Sequence, residues 1–369
     1  MPVFSPHQDA ALKAVAAWLQ TKAGTGATPQ VFRLFGYAGT GKTTLARHIA
    51  EGVDGRVLFA AFTGKAALVM RGKGCINAST IHSMIYRARE SGEETPTFDL
   101  WHDAPASRAK LIVIDECSMV DAELGRDLLS FGAPVLVLGD PAQLPPIQGG
   151  GFFTTAAPDA MLTEVHRQAR DDPIVRLSMQ VRAGERLAPG IDGLTAVVRR
   201  DAFDPSRALE TDQILVGRNA TRRAYNVRIR VRRGFAEPLP VAGDKLVCLR
   251  NNRRKGLFNG GLWTVHERRA RRAGILRMRL QPEDDANASI VKVSVRPECF
   301  TGALEGVEWA QRKRYDEFDF GYVLTVHKAQ GSQWDDVVLF DESYAFPDSR
   351  DRWLYTGITR AAKRLTVVV

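Results

Sequence analysis

The chain has 369 residues, of which 44% are hydrophobic and 25% are charged, a balance typical of a globular protein with room for two or more domains. No apolar run approaches the length of about 18 residues that would indicate a membrane helix, and the N-terminal stretch lacks the pattern of a secretory signal. The four cysteines are far apart and show no C-x-x-C spacing, which argues against a zinc site or a disulfide framework and suits a reducing cytoplasm.

The positive charge is concentrated in the second part of the chain. Residues 1–150 hold 14 basic and 14 acidic side chains, so the net charge of +9 belongs entirely to residues 151–369. Residues 218–233 contain seven arginines and no acid, and residues 250–272 form a second basic cluster. Each cluster is either a solubilising surface or a surface that faces nucleic-acid phosphates, and charge alone does not decide between them.

Alternating apolar strands and helices in the first half predict a parallel sheet covered by helices, which is an α/β fold. The segment VFRLF is a predicted strand that runs directly into a glycine-rich turn, and TTLARHIA is the helix that follows it. The other predicted elements of this half are strands at 56–62, 110–115 and 134–140 and a helix at 121–132.

The second half repeats this pattern around a different middle part. Strands are predicted at 212–217, 335–341 and 364–369, and helices at 220–234 and 352–363. Between residues 243 and 300, short strands alternate with polar turns, which predicts a small β barrel inserted into the second α/β domain. The polar, acidic stretch 86–105 lacks periodicity and is interpreted as a loop or hairpin inserted into the first domain.

The glycine-rich turn, GYAGTGKT, matches the phosphate-binding loop G-x-x-x-x-G-K-[ST]. In such a loop the glycines let backbone N–H groups approach and cradle phosphates at a helix N-terminus. Lys42 is predicted to reach the β- and γ-phosphates, and Thr43 to bind Mg²⁺ through its hydroxyl. A chance match is the alternative, and the flanking strand and helix argue against it. The predicted triphosphate-binding residues are Gly36, Gly39, Thr40, Gly41, Lys42, Thr43 and Thr44.

Asp115 and Glu116 end an apolar strand and would supply the second half of a nucleotide site. Asp115 is placed to hold Mg²⁺, and Glu116 to polarise the attacking water. The alternative is that the two carboxylates cap the next helix, where the helix dipole favours negative charge. The phosphate-binding loop earlier in the chain favours the catalytic interpretation.

Three further side chains are candidates for the chemical step. Gln143 follows the strand at 134–140 and is suited to sensing a γ-phosphate or orienting water. Arg167 and Arg360 would bring positive charge to the transferring phosphoryl group, an effect worth about 10³–10⁵ in rate for one arginine. Taken singly, each arginine is better explained by a surface salt bridge, so the catalytic assignment depends on the whole set.

Together these residues resemble a known family. The chain resembles the superfamily 1 helicases of the RecD/Dda-like branch, also called superfamily 1B, over nearly its whole length and with the motifs in the family's order. Any one motif alone would be weak, whereas the set is highly specific. The matching segments are SPHQ, GYAGTGKT, FTGKAA, STIHSMIY, DECSMV, GDPAQLPP, EVHRQ, LTVHKAQGSQWDDV and YTGITRA.

The resemblance implies a domain organisation. Two RecA-like domains with parallel sheets would enclose ATP between them, the first at 1–165 and the second at 166–242 together with 301–369. An SH3-like β barrel would be inserted at 243–300, and the insertion at 86–105 would match the small hairpin that splits the duplex in relatives. The resemblance also implies a minimal, monomeric motor of about the size of the phage members.

The resemblance further implies roles for individual residues. Gln8 matches the glutamine that reads adenine, Gly331 belongs to the nucleotide-binding set, and both Arg167 and Arg360 would reach ATP from the second domain. The residues implied to contact single-stranded DNA are Thr63, Thr80, His82, Thr325, His327 and Lys328.

The hairpin at 86–105 carries the aromatic residues Phe98 and Trp101 in its second half. They are candidates for the tip that stacks on the base pair at a fork, and packing back onto the first domain is the alternative. Phe62 stands where the family usually has a proline in FTGKAA, which leaves the local DNA contact open.

The implied activity is that of an ATP-dependent DNA helicase that moves 5′ to 3′ on single-stranded DNA, uses Mg²⁺, and acts at junctions of single- and double-stranded DNA. The alternatives are a translocase without unwinding, a motor subunit of a recombination complex, an oligomeric protein-remodelling ATPase and a non-enzymatic nucleic-acid-binding subunit. Two candidate arginines in the same chain argue against the oligomeric ATPase, and the intact catalytic set argues against the binding subunit. The sequence does not indicate whether the chain acts in replication, recombination or repair, and it does not identify a protein partner. No association with a membrane is expected.

Overall fold

A computed structural model of the chain describes residues 4–24, 29–88, 98–145, 151–164, 171–252, 255–257, 259–272, 274–283 and 289–369. Within these ranges, no helix combines the length and the apolar character needed to cross a membrane. The strands are β1 (Val31–Gly36), β2 (Val57–Ala61), β3 (Ser79–Thr80), β4 (Tyr86–Ala88), β5 (Phe98–Leu100), β6 (Leu111–Asp115), β7 (Val135–Gly139), β8 (Ala160–Leu162), β9 (Gly190–Asp192), β10 (Thr195–Val198), β11 (Gln213–Val216), β12 (Lys245–Cys248), β13 (Leu262–Arg272), β14 (Ile275–Pro282), β15 (Val291–Val295), β16 (Phe318–Phe320), β17 (Val323–Thr325), β18 (Trp334–Phe340) and β19 (Ala361–Val368).

The helices of the described residues are α1 (Pro6–Gly24), α2 (Lys42–Glu51), α3 (Gly64–Gly72), α4 (Ile81–Ile85), α5 (Ala122–Leu129), α6 (Pro173–Arg182), α7 (Arg207–Glu210), α8 (Asn219–Arg232), α9 (Glu298–Thr301), α10 (Trp309–Arg312) and α11 (Arg350–Ile358). Short 3₁₀ turns lie at Pro105–Arg108, Cys117–Met119, Arg200–Ala202, Leu304–Gly306, Ser343–Ala345 and Pro347–Ser349.

The first sheet has six parallel strands in the order β3-β2-β6-β7-β1-β8. Its central strands are short apolar runs such as LIVID and VLVLG, with hydrophobic clusters on both faces. This is the pattern expected when helices cover both sides of a parallel sheet, and the predicted α/β fold is confirmed. The strand order places the carboxyl ends of β6, β7 and β1 side by side, at the edge where open α/β sheets bind ligands.

The second sheet has the order β17-β11-β18-β19-β10-β9, with β9 as an antiparallel edge strand and the other neighbours parallel. The helix predicted at 352–363 is shorter than expected, because α11 ends at Ile358 and residues 361–363 belong to β19. Pairing decides this boundary: Ala361 lies opposite Trp334 of β18, and the Trp334 amide donates to the Arg360 carbonyl at 2.9 Å.

The middle of the second half forms a five-stranded antiparallel sheet in the order β15-β14-β13-β12-β16. Its fifth strand, β16, lies beyond residue 300, so the sheet uses more of the chain than the predicted range 243–300. An isolated bridge joins Val295, the last residue of β15, to Asp316, which lies two residues before β16. The core of this sheet contains Leu246, Trp263 and Phe318. The strand β15 ends at Val295, since Pro297 cannot donate to a ladder and a helix begins at Glu298.

The insertion in the first domain begins and ends as a two-stranded antiparallel pair, β4 and β5. The Tyr86 hydroxyl donates to the Asp127 carboxylate at 2.5 Å and ties this pair to α5. Trp101 is half-buried against the first domain's core, and its amide donates to the Ile85 carbonyl at 2.8 Å. Of the two interpretations of Trp101, the structure therefore favours packing onto the domain. Residues 89–97 lie outside the described ranges.

Candidate nucleotide site and nucleic-acid interface

The phosphate-binding loop connects β1 to α2. Gly41 caps α2 with a φ of 78°, a left-handed conformation that glycine adopts without steric cost. The Lys42 ammonium donates to the carbonyls of Gly36 and Tyr37 at 2.6 and 2.9 Å. The loop therefore presents a lysine and the N-terminus of a helix to the same space, which is the arrangement that binds phosphate groups.

Thr43 and Asp115 lie together at the ends of neighbouring elements. The Thr43 hydroxyl donates to Asp115 Oδ2 at 3.0 Å, and Asp115 Oδ1 accepts from the Glu116 amide at 2.8 Å. A hydroxyl and a carboxylate are oxygen donors of the kind that Mg²⁺ prefers beside a bound triphosphate. The donor chemistry therefore fits the predicted magnesium site.

Glu116, Gln143 and Arg360 meet in the cleft between the two parallel sheets. Glu116 Oε1 lies 3.9 Å from the Arg360 guanidinium. The Gln143 side-chain amide is oriented so that its nitrogen and its oxygen each have a hydrogen-bond partner. In this orientation its nitrogen donates to Glu116 Oε2 at 3.0 Å, and its oxygen accepts from Arg360 Nη2 at 3.3 Å. Burial raises the pKa of the Glu116 carboxyl, and the positive charge of Arg360 opposes that shift. These three of the predicted catalytic residues therefore form one contact group that spans both domains.

Gln8 lies against the phosphate loop from the side of α1. Its side chain is buried, its amide nitrogen donates to the Thr40 carbonyl at 3.1 Å, and its amide oxygen accepts from the Ser5 amide at 3.0 Å. The Thr40 hydroxyl in turn donates to the Tyr37 carbonyl at 2.8 Å. The structure thus places Gln8 beside the loop, and an adenine contact stays a prediction.

Gly331 brings the second domain close to α3. Its φ is 72°, and an added Cβ would lie 3.0 Å from Ala66 Cβ and 3.2 Å from Thr63 Oγ1. Both the backbone conformation and the close approach therefore require glycine here. The cavity bounded by these elements has a volume of about 530 Å³, and its lining includes Gly39, Thr44, Asp115, Gln143, Gly331 and Arg360.

The second domain also holds the loop that carries Gln143, through side chains that motif reasoning did not single out. The Thr356 hydroxyl accepts from the Leu144 amide at 2.9 Å, and the Gln330 amide donates to the Leu144 carbonyl at 3.0 Å. The Tyr355 hydroxyl donates to Asp140 Oδ2 at 2.7 Å. The sequence feature that could have indicated them is their position inside the segments YTGITRA and HKAQGSQ, which also contain the predicted site residues Arg360 and Gly331.

The first-domain candidates for DNA contact follow the carboxyl ends of β2 and β3. Thr63 Oγ1 accepts from the Ala66 amide and Thr80 Oγ1 from the Ser83 amide, each at 3.1 Å, so both hydroxyls cap helices. The His82 ring lies 5.9 Å from the ring of Phe62. The structure brings these residues to one edge of the sheet, and their contact with DNA stays a prediction.

The second-domain candidates follow β17. Thr325 is buried and accepts from the Lys328 amide at 3.3 Å. The His327 ring packs 5.2 Å from Phe346, and burial lowers the pKa of this histidine. Desolvation lowers the pKa of Lys328, with a further contribution from the Arg222 guanidinium. Nucleic-acid contact by these three residues also stays a prediction.

The structure gives little information on two predicted site residues, Arg167 and Phe98. Arg167 lies within 165–170, outside the described ranges. The backbone of Phe98 pairs with Ala88 in the β4–β5 ladder. The proposed roles of Arg167 and Phe98 therefore remain predictions.

The arginine-rich stretch 218–233 is mostly the helix α8, and its arginines have different environments. Arg222 and Arg230 lie on one face of the helix, as their spacing of eight residues indicates, and both are buried. Arg222 pairs with Asp319 at 2.7 Å, and Arg230 makes two 2.8 Å contacts with Asp244. Arg223 is exposed. These two buried arginines join α8 to the five-stranded sheet and are not a phosphate-facing surface.

The fold and site are those of a P-loop nucleotide-binding protein with two parallel sheets. A family model described as an AAA domain matches residues 5–202, more than half of the chain, and one described as a UvrD-like helicase C-terminal domain matches residues 320–368. The chain belongs to this AAA-domain family, and the relatives it matches include RecD2 and Dda helicases.

Curated relatives include the ATP-dependent RecD2 DNA helicase of Deinococcus radiodurans, which is 29% identical over 363 residues, 90% of this chain and 46% of the relative. The ATP-dependent DNA helicase Dda of phage T4 is 30% identical over 165 residues, 41% of this chain and 37% of the relative. The chain thus spans between about a third and a half of the length of these relatives.

Similar solved structures include Pif1 helicases. A structure of Pif1 helicases unwinding forked duplex DNA has a TM-score of 0.61 at 16% identity, covering 100% of this chain and 92% of that chain. Bacteroides Pif1 bound to single-stranded DNA has a TM-score of 0.60 at 16% identity, with coverage of 100% and 93%. At this identity the likeness concerns the fold, and it confirms the two RecA-like domains.

Proposed function

We propose that this chain is an ATP-driven motor that moves 5′ to 3′ along single-stranded DNA and separates the duplex ahead of it. The observation that supports this most strongly is the contact group of Glu116, Gln143 and Arg360, in which a residue from the second domain touches two residues of the first domain inside the nucleotide cleft. Because the two domains share the site, a change at the γ-phosphate changes their relative positions.

In the proposed reaction, Lys42 and the amides of the phosphate loop bind the triphosphate of ATP. Thr43 and Asp115 would hold Mg²⁺, which would neutralise charge on the β- and γ-phosphates. Glu116 accepts a proton from the attacking water, while Gln143 orients that water. Arg360, and Arg167 in the same role, stabilise the negative charge that develops on the transferring phosphoryl group.

Movement follows if the two domains bind the DNA strand with alternating strength. The segment 326–333 runs from the carboxyl end of β17 to the amino end of β18, so a few residues connect His327 and Lys328 to Gly331 in the nucleotide cavity. A nucleotide that favours the closed arrangement of the domains thereby changes the DNA affinity of the second domain. The 5′ to 3′ direction is the one implied by the resemblance of the motifs to the RecD/Dda-like branch.

The test is a strand-displacement assay on duplexes with either a 5′ or a 3′ single-stranded tail. We expect ATP-dependent displacement from the 5′-tailed substrate only, and none by Lys42→Ala or Glu116→Gln. Displacement from the 3′ tail alone would overturn the proposed direction. Release of streptavidin from biotinylated single strands without duplex separation would instead identify a translocase that does not unwind.

A further inference from the structure

We propose that Tyr355 is a positioning residue that couples the phosphate loop to the loop carrying Gln143, so that the second domain controls the geometry of both. This inference rests on the ATP-driven function proposed above. It assigns a role to a side chain that does not line the nucleotide cavity and acts through two hydrogen-bond partners that do.

The geometry of the Tyr355 hydroxyl is the first observation. Tyr355 lies on α11 of the second domain and is only 1% exposed. Its hydroxyl donates to Asp140 Oδ2 at 2.7 Å and accepts from the Ala38 amide at 2.9 Å. Ala38 belongs to the phosphate loop, and Asp140 follows β7. One hydroxyl therefore joins two nucleotide-binding loops of the first domain to one helix of the second.

Asp140 transmits the position of this hydroxyl to Gln143. Its second oxygen, Oδ1, accepts from the Ala142 amide at 3.0 Å, and its carbonyl accepts from the Gln143 amide at 3.1 Å. The carboxylate thus fixes the turn that presents the Gln143 side chain to Glu116. Burial and the neighbouring Asp140 charge raise the pKa of Tyr355, so the phenol stays protonated and remains a donor.

A second contact holds the adjacent residue of the phosphate loop. The Arg182 guanidinium, at the end of α6, lies 3.5 Å from the centre of the Tyr37 ring. The second domain therefore holds two consecutive loop residues, Tyr37 and Ala38, from two different helices. This arrangement indicates a specific connection between the second domain and the loop.

The variant Tyr355→Phe removes the hydroxyl and leaves the domain contact in place. The aromatic ring fills nearly the same volume, and Thr356 and Gln330 still hold Leu144. A loss of function in this variant would therefore report on the hydroxyl and not on separation of the domains.

The chain offers a closely matched control in Tyr322. The Tyr322 hydroxyl also donates to one carboxylate, Asp244 Oδ1 at 3.0 Å, and accepts from one backbone amide, that of Lys245 at 3.0 Å. Tyr322 is buried and lies where β12 of the five-stranded sheet meets the second parallel sheet, outside the nucleotide cavity. Tyr322→Phe therefore removes one hydrogen bond to a carboxylate and one from a backbone amide, as Tyr355→Phe does, but at a place away from the nucleotide-binding loops.

The experiment compares the parent chain, Tyr355→Phe and Tyr322→Phe by thermal unfolding, by ATP turnover with and without oligothymidylate, and by amide hydrogen exchange of segments 36–42 and 138–144. We expect Tyr355→Phe to lower kcat by about tenfold or more, the scale of one hydrogen bond to a charged group, with little change in KM for ATP. Exchange should rise in both segments. Tyr322→Phe should lower thermal stability while keeping the parent's kcat and exchange.

Parent-like kcat and exchange in Tyr355→Phe would overturn the proposal. An equal fall of kcat in Tyr322→Phe would also overturn it, because the effect would then follow general stability. If the parent itself shows no DNA-stimulated turnover, the proposed motor function fails. The exchange comparison still decides the role of Tyr355 in that case, since it needs neither DNA nor catalysis.

Discussion

At the residue scale, Glu116 combines an unusual backbone conformation with a carboxyl group whose pKa is raised by burial. Its φ is 53°, one of two positive values among the described non-glycine residues. Such a conformation costs free energy and persists when surrounding contacts over-determine it, which is common at functional sites. Here the Asp115 carboxylate accepts from the Glu116 amide, while Gln143 and Arg360 hold the side chain.

Glu116→Gln is predicted to bind ATP and to hydrolyse it about 10²–10⁴-fold more slowly, because the amide cannot accept the proton of the attacking water. Single-turnover hydrolysis and binding of a non-hydrolysable ATP analogue are the measurements. Glu123→Gln is the matched control, since Glu123 is an exposed residue in the first turn of α5. Turnover within a few-fold of the parent would remove Glu116 from the role of base.

The raised pKa of Glu116 predicts a pH dependence of turnover. In the proposed role of base, Glu116 must be ionised, so kcat should fall as pH drops through its pKa, which lies above the ordinary value of about 4.3. Because Arg360 lowers this pKa, Arg360→Gln should move the acid limb of the kcat profile to higher pH, besides reducing its maximum. An acid limb that stays at the parent's position in Arg360→Gln would contradict this assignment.

At the element scale, the arginine-rich helix α8 has two kinds of arginine: Arg222 and Arg230 are buried in ion pairs, and Arg223 is exposed to solvent. Arg230→Met should reduce the free energy of unfolding by about 3–5 kcal/mol, because the buried Asp244 carboxylate loses its charged partner. Arg223→Met, on the exposed face, should change it by no more than about 0.5 kcal/mol. Urea unfolding measures both. An equal reduction of the free energy of unfolding in the two variants would show that the buried Arg230–Asp244 pair does not contribute more to stability than an exposed arginine.

The hairpin insertion is predicted to separate strands and not to drive the motor. Its sequence carries Glu90, Glu93 and Glu94, which would repel phosphates. Because Trp101 packs onto the first domain, a replacement by a short Gly-Ser turn should be confined to residues 89–97 and should preserve β4 and β5. DNA-stimulated ATPase should then remain while unwinding falls sharply.

Trp101→Ala supplies the contrasting variant for the hairpin. It should lower the melting temperature of the chain without selectively impairing unwinding, because it removes packing from the first domain. If the 89–97 replacement unwinds as well as the parent, the strand-separating element lies elsewhere. If its ATPase is lost as well, the insertion has a structural role.

At the scale of the whole molecule, the nucleotide cavity lies between the carboxyl ends of the first sheet and the amino ends of β18 and β19. Arg360 reaches Glu116 within one chain, so the site should work without a neighbouring subunit. Mixing Lys42→Ala with Arg360→Ala should therefore restore no ATPase activity, and a sizing column should show one species with and without ATP. Recovery of activity in the mixture would indicate a shared site and an oligomeric ATPase.

The sequence by itself determined the local structures and the identities of the motif residues. Apolar runs at 31–35, 110–115 and 134–140 predicted parallel strands, because strands buried on both faces need continuous apolar side chains. The glycine and lysine spacing predicted the phosphate loop, since that chemistry depends on neighbouring residues. These features are local, so a single pass along the chain finds them.

Only the tertiary structure decided which distant residues share a contact. Asp140 and Tyr355 are 215 positions apart, and nothing in either segment specifies their hydrogen bond. The same holds for Arg222 and Arg230, whose spacing predicts a common face but not whether that face is buried. Burial depends on how α8 packs against the five-stranded sheet, where Asp319 and Asp244 supply the opposite charges. Pairing with β18 likewise ended α11 at Ile358, because strand hydrogen bonds from a remote segment outweighed the local helical pattern.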